Sequence, residues 1–194
     1  MLILGLTGSI GMGKSTTAGL FREAGVPVLD ADGVVHALYE GEAAPLVEAA
    51  FPGKTGPQGV NRAALGRAVL GDPPALRRLE AIIHPLVARE RNEFLCLHRQ
   101  RGAPLVVLDI PLLFETGGVK LVDVIVVVSA PNSVQKARVL TRPGMSLAKF
   151  EAIMAQQLGD TEKRRRAHIT LDTGQGIDIT RSAVQALLRA LGGR

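Results

Sequence analysis

Apolar residues fall into two patterns along this chain: short unbroken blocks, and longer stretches at helical spacing. Leu2-Ile3-Leu4-Gly5-Leu6, Pro104-Leu105-Val106-Val107-Leu108-Asp109 and Val122-Asp123-Val124-Ile125-Val126-Val127-Val128-Ser129 are the blocks. They are too short for helices and carry apolar side chains on successive positions, as strands buried on both faces do. Val26 to Asp30, entered by a turn at Gly25, and Ala167 to Asp172 read as two shorter strands. Helical spacing runs through Thr16–Glu23, Gly33–Tyr39, Ala75 to about Arg101, Asn132–Arg142, Ser146–Gln157 and Ile179–Leu191. Helices alternating with buried strands predict an α/β fold: a five-stranded parallel sheet flanked by helices, with right-handed crossovers.

Prolines and glycines punctuate the pattern. Pro45, Pro52, Pro57 and the glycines among them predict a loop across residues 40–60. Asn61 is placed to cap a helix starting behind it, and Asp72 to cap another at Pro73-Pro74. Pro85 falls inside the long helical pattern. It removes one backbone hydrogen bond and crowds the carbonyl of Ala81, so a kink or break is expected at His84-Pro85. Residues 31–103, between the second and third strands, are too many for a simple crossover and are expected to form an inserted helical lobe for a second substrate.

Between the first strand and the first helix stands Gly8-Ser9-Ile10-Gly11-Met12-Gly13-Lys14-Ser15, the spacing G-x-x-x-x-G-K-[ST] of a phosphate-binding loop. Glycines let the backbone turn back and approach a ligand, so that successive N–H groups converge on a polyphosphate. Lys14 is placed to reach the β- and γ-phosphates, and the Ser15 hydroxyl to ligate Mg²⁺. The helix that follows adds its positive N-terminal dipole. Gly11 to Thr16, that is Gly11, Met12, Gly13, Lys14, Ser15 and Thr16, is where the nucleotide contacts are expected, with Gly8 serving the turn.

Composition changes this picture only slightly. The chain has 194 residues, 46% hydrophobic and 21% charged, which suits one α/β domain with an inserted lobe. The apolar start, Met1 to Leu6, is too short for a signal peptide, and no run reaches the roughly 18–20 apolar residues of a spanning helix. The one cysteine, Cys96, cannot form an intrachain disulfide and is expected to pack as a small apolar residue, which points to a reducing cytoplasm. A net charge of +5 raises the question of nucleic acid. However, residues 132–166 hold eight basic side chains against three acidic ones, so the whole excess sits in one segment, where a polyphosphate accounts for it. No nucleic acid and no membrane are expected as partners.

Phosphoryl transfer to a hydroxyl needs a group to take the acceptor proton. Asp30 and Asp32 stand just past the second strand. If Asp30 ends that strand, Asp32 is carried forward as the next helix begins; the alternative is that one or both simply cap the helix. Asp109, ending a buried strand, fits the acid that holds the Mg²⁺ shell, or a loop hydrogen-bonding acid. Arg138 and Arg142 share one helix face and are candidates to close over the transferring phosphoryl group, against the alternative of a solvated face. Lys163 to Arg166 read as a solvated run at a helix end, and His84 as a site residue or a buried histidine at a kink. The loop is compatible with several reactions. A guanine-reading N-K-x-D string is absent, which disfavours a regulatory GTPase; a nucleoside monophosphate or sugar-acid kinase and a nucleic-acid ATPase remain as alternatives.

These residues together resemble the dephospho-CoA kinase family over essentially the whole chain. The resemblance is carried by Leu6-Thr7-Gly8-Ser9-Ile10-Gly11-Met12-Gly13-Lys14-Ser15-Thr16, Leu29-Asp30-Ala31-Asp32 and Leu79-Glu80-Ala81-Ile82-Ile83-His84-Pro85-Leu86-Val87. Asp109-Ile110-Pro111-Leu112-Leu113-Phe114-Glu115 and the segment around Gln156 extend it. It implies transfer of the ATP γ-phosphate to the ribose 3′-hydroxyl of dephospho-CoA, the last step of coenzyme A synthesis; a monomer or weak homo-oligomer is expected. It also implies a P-loop kinase core (1–30, 104–131, 167–194), a helical CoA-binding lobe (31–103) and a small lid (132–166). By position, Asp32 falls on the catalytic base, His84 in the acceptor lobe, and Arg138 and Arg142 on lid arginines. The chain departs from the family pattern at Pro143, where the lid reads Arg-Asp, at Ala152, often an arginine, and at Thr173, commonly an asparagine.

Overall fold

The computed structural model describes residues 1–192; the last two residues of the expected core segment 167–194 lie outside the described residues. In chain order the first half comprises β1 (Leu2–Thr7), α1 (Lys14–Glu23), β2 (Val28–Asp30), α2 (Ala31–Glu40), α3 (Ala43–Ala50), β3 (Thr55–Gly56), β4 (Gly59–Val60) and α4 (Arg62–Val69). There follow α5 (Pro73–Gln100), β5 (Leu105–Asp109), β6 (Val124–Ser129), α6 (Asn132–Leu140), α7 (Leu147–Gln156), α8 (Asp160–Arg166), β7 (Ile169–Asp172) and α9 (Ile177–Ala190). Two compact units result, one of Met1–Leu29 with the chain from His98 onward, the other Asp30–Leu97.

The first unit is built on the five-stranded sheet, in the order β2-β5-β1-β6-β7. β1 pairs in parallel with β5 and β6, and β6 with β7. The unbroken apolar blocks are strands covered on both faces, as their lack of alternation demands. Val126 and Val128 pack with Leu4, Leu6, Phe21, Val184 and Leu187 on one side, while Ile125 and Val127 meet Leu113 on the other. The register places Asp109 opposite Leu6, so the last residue of β5 stands beside the strand that enters the phosphate loop.

The second unit has its own core, in which Leu38, Val47, Phe51, Leu65, Leu79 and Ile83 are buried together. Two sequence expectations fail here. The loop expected across residues 40–60 contains α3 and the β3–β4 hairpin. Pro45 lies in the first turn of α3, where no intrahelical N–H bond is lost, and Ala43 and Val47 bury one face. Gly59, at φ 93°, lets the hairpin approach α2: a Cβ there would lie 2.2 Å from the Tyr39 carbonyl oxygen. Glu48 closes the turn by accepting from Thr55 Oγ1 (2.6 Å) and Gly53 N (2.7 Å), which holds its carboxyl below the ordinary glutamate value. The caps at Asn61 and Asp72 do form, each side chain accepting from an N–H three residues on.

Of the kink or break expected at Pro85, the break is absent: α5 is one helix of 28 residues with the proline inside it. Pro85 and Ala81 are both exposed, so water reaches the carbonyl whose partner is lost. The buried positions Ala75, Leu79 and Ile83, continued by Leu86 and Val87, keep one phase across the proline. Burying each such large side chain is worth about 1.5–3 kcal/mol, enough to offset the roughly 3 kcal/mol cost of an interior proline. Tertiary burial decides the helix.

Candidate phosphoryl-transfer site

The phosphate loop leaves β1 after Thr7 and enters α1 at Lys14. Gly11 (φ 78°) and Gly13 (φ 85°) take the left-handed conformation the motif anticipates, and Gly13 is the N-cap of α1. Gly8 is not at positive φ; its need for glycine is contact, since a Cβ would lie 2.4 Å from Val128 Cγ2. Gly11 is similarly pressed against α6, where a Cβ would meet Val139 Cγ2 at 2.5 Å. The Met12 side chain is turned into the sheet core and its sulfur accepts from Ala130 N, so Met12 can offer a ligand only backbone. Ser15 and Thr16 are exposed in the first turn of α1, where the helix dipole and unpaired N–H groups favour an anion.

Lys14 Nζ donates to Asp109 Oδ1 at 2.6 Å, joining the loop's cation to the β5 carboxylate. The pair is largely enclosed, the side chains retaining 15% and 4% exposure. Asp109 is thus a buried partner of the loop lysine. Thr7 Oγ1 donates to the Pro111 carbonyl at 2.9 Å, tying the end of β1 to the turn after β5. Together Asp109 and Ser15 present hard oxygen donors of the kind Mg²⁺ takes alongside substrate phosphates. No cluster of three or more His, Cys, Asp or Glu fit to hold a metal occurs among the described residues.

The basic segment behaves less uniformly than its sequence implied. Arg138, half-buried on α6, is held by Thr173, donating from Nη1 to Thr173 Oγ1 (3.1 Å) and from Nη2 to the Thr173 carbonyl (2.7 Å). Arg142, just past α6, is exposed and its guanidinium has no partner among the described residues. Lys163 corrects the expectation of a solvated run: its side chain is fully buried, with Nζ 2.9 Å from Glu115 Oε1, while Arg164, Arg165 and Arg166 are exposed. Burial alone would raise the Glu115 carboxyl, but the Lys163 ammonium and the N–H of Leu158 bring it below the ordinary glutamate value.

Sequence reasoning missed a pair of glutamines that grip the loop. Gln135, on the buried face of α6, donates to the Ile10 carbonyl at 2.7 Å, and Gln157 accepts from Ile10 N at 3.0 Å. Gln157, and not the neighbouring Gln156 of the family-like segment, makes this contact. A glutamine on an apolar helix face carries no local signal of what it will meet. Beside these residues a cavity of about 640 Å³, lined by Ser129, Pro131, Met154, Asp160, Arg164 and Asp172, opens at the ends of β6 and β7. Its size is that of an ordinary small-molecule site.

The remaining candidates belong to the second unit. β2 ends at Asp30, whose side chain caps α2 by accepting from Asp32 N at 3.1 Å. Asp32 is exposed in the first turn, and its carboxylate has no partner among the described residues. The two acids therefore divide the alternatives: Asp30 caps, and Asp32 is available for chemistry. His84 is exposed on α5, which removes the reading of a buried histidine at a kink. Cys96 is exposed on the same helix, contrary to the expected apolar packing.

Comparison with known proteins agrees with this arrangement. A dephospho-CoA kinase from Mesorhizobium japonicum is 59% identical over all 194 residues, covering 98% of that protein. A crystal structure from Thermus thermophilus superposes with a TM-score of 0.86 at 37% identity, covering 98% of this chain and 97% of that one. A dephospho-CoA kinase from Campylobacter jejuni shares the fold, with a TM-score of 0.67 at 21% identity over 99% of this chain and 98% of that one. The family description "Dephospho-CoA kinase" matches residues 2–178, and with a phosphate loop, its lysine–aspartate pair and an unengaged Asp32 in place, the chain belongs to the dephospho-CoA kinase family.

Proposed function

We propose that the chain transfers the γ-phosphate of ATP to the ribose 3′-hydroxyl of dephospho-CoA, giving coenzyme A. The observation that carries this reading is the Lys14–Asp109 pair at the end of a G-x-x-x-x-G-K-S loop in a member of this family. Loop N–H groups and the N-terminus of α1 bind the triphosphate. Lys14 leaves Asp109 for the β- and γ-phosphate oxygens, an exchange of one anionic partner for another that needs only rotation of a flexible stem. A bound Mg²⁺ would supply charge neutralisation on the phosphate oxygens. Ser15 and Asp109 are the residues that would hold it.

Asp32 acts as the general base for the acceptor hydroxyl, supported by its exposure and by the capping duty that occupies Asp30 instead. Arg142 stabilises the charge of the transferring phosphoryl group from the lid (132–166), and Arg138 does so from its seat on Thr173. The helical lobe (31–103) binds the acceptor, with His84 among its contacts. The enzyme works in the cytoplasm as a monomer or weak homo-oligomer. No helix among the described residues is long and apolar enough to cross a membrane.

The deciding experiment measures phosphate transfer from MgATP to dephospho-CoA beside a nucleoside monophosphate and a sugar acid. Formation of coenzyme A, at a kcat/KM at least a hundredfold above the other acceptors, is expected. Absence of transfer to dephospho-CoA would sink the reading.

A further inference from the structure

Thr173 follows β7 directly and is 4% exposed, a buried threonine where the family pattern favours an asparagine. Its N–H donates to the Ser129 carbonyl at 2.8 Å, which prolongs the β6–β7 ladder by one residue and fixes its backbone. From that fixed point the side chain reaches back to the phosphate loop. Oγ1 donates to the Met12 carbonyl at 2.9 Å and lies at 3.3 Å from the Ser129 carbonyl, so its single proton is directed to Met12. The hydroxyl's acceptor side takes Arg138 Nη1, and the Thr173 carbonyl takes Nη2. The contact with the loop is close: a Cβ on Gly13 would stand 3.0 Å from Thr173 Oγ1 and 3.2 Å from its Cβ.

The Met12 carbonyl and the Gly13 N–H belong to one peptide unit, and no peptide bond among the described residues is cis. In a trans peptide these two groups point in opposite directions. Anchoring the carbonyl on Thr173 therefore aims the Gly13 N–H away from Thr173. Gly13, at φ 85°, has its own carbonyl held by Thr17 N and Thr17 Oγ1, each at 3.0 Å, so the Thr173 hydroxyl supplies the hold on the other side, at the Met12 carbonyl. The same hydroxyl and its carbonyl hold both terminal nitrogens of Arg138, so the guanidinium is oriented against that peptide.

We propose that Thr173 is a positioning residue for the ATP polyphosphate: one side chain orients the Met12–Gly13 peptide of the loop and seats Arg138 beside it. The inference rests on the reading of the loop as the ATP site. It also separates the two lid arginines. Arg138 is set by Thr173 at the end of β7, while Arg142 is exposed.

The test compares Thr173→Val, which keeps the shape without the hydroxyl, with Thr173→Ser, which keeps the hydroxyl without the methyl. MgATP binding by titration calorimetry and the KM values of both substrates are measured beside thermal midpoints. Loss of one neutral hydrogen bond corresponds to about a tenfold effect. Thr173→Val is expected to weaken MgATP about tenfold and raise the ATP KM by the same factor, with the dephospho-CoA KM unchanged. Thr173→Ser is expected to stay within about twofold of wild type, and adding Arg138→Met to Thr173→Val to cost less than the product of the single effects. Wild-type MgATP affinity in Thr173→Val, equal impairment of Val and Ser variants, or parallel rises in both KM values would each overturn the proposal. Should Thr173→Val not fold, Thr173→Ala against Thr173→Ser isolates the same hydroxyl. A wild-type chain that binds MgATP but phosphorylates no dephospho-CoA defeats the reaction and leaves the calorimetric comparison decisive for Thr173.

Discussion

Asp30 and Asp32 differ by two positions and by everything around them. Asp30 caps α2, its Oδ1 accepting the N–H of Asp32, so that side chain is worth about 1 kcal/mol to α2. Asp32→Asn is expected to lower kcat by about 10²–10⁴-fold with the ATP KM near wild type, since the amide cannot take a proton but keeps the size of the side chain. Asp30→Asn should leave kcat within a few fold because asparagine also caps. Steady-state kinetics on both variants checks this, and an active Asp32→Asn enzyme would end the assignment. His84, exposed on α5, is expected to act on the acceptor alone: His84→Ala should raise the dephospho-CoA KM several fold and leave the ATP KM unchanged. Equal KM values in wild type and variant would reduce it to a surface residue.

Helix α8 is seven residues long, with no side-chain cap, and it is held both by the Lys163–Glu115 pair and by Ser129 Oγ, which donates to Asp160 Oδ2 at 2.8 Å. Lys163→Ala leaves Glu115 without its cation and is expected to destabilise the chain by about 3 kcal/mol, while Lys163→Met, which keeps the apolar stem, should cost less. Thermal or urea unfolding distinguishes the two. The pH dependence follows from the lowered Glu115 carboxyl. Its folded value lies below its unfolded one, near 4.3 by reference, so its contribution is present above that pH and is lost as pH falls through the folded value. Glu115→Gln should therefore flatten the acid limb of stability below about pH 4.3, measured by urea midpoints from pH 3 to pH 6. In α5, the cost of Pro85 should be recoverable: Pro85→Ala is expected to raise stability by up to about 3 kcal/mol, because the helix already runs through that position.

Separate clusters of buried residues, on the two faces of the sheet and among the lobe helices, support two compact units. MgATP at a hundred times its Kd should add about 2.7 kcal/mol to the unit that carries the loop, an increase in its thermal midpoint of about 5–10 °C, visible by calorimetry. Most of the sheet was legible in the linear chain, because parallel strands buried on both faces leave unbroken apolar blocks that nothing else in a small chain resembles. The loop was legible for a similar reason: its glycines, lysine and serine act through local backbone geometry, and local geometry is written in local spacing. Which acid caps and which is left unengaged, that α5 runs through Pro85, and that Lys163 is buried opposite Glu115 were all decided by contacts or burial set by folding. So were the two glutamines on Ile10 and the hold of Thr173 on Met12 and Arg138, partners separated by 125, 147, 161 and 35 positions. A side chain's own neighbours state its propensity and its chemistry; what it touches across such distances depends on the free energy of the whole packed core, which only folding resolves.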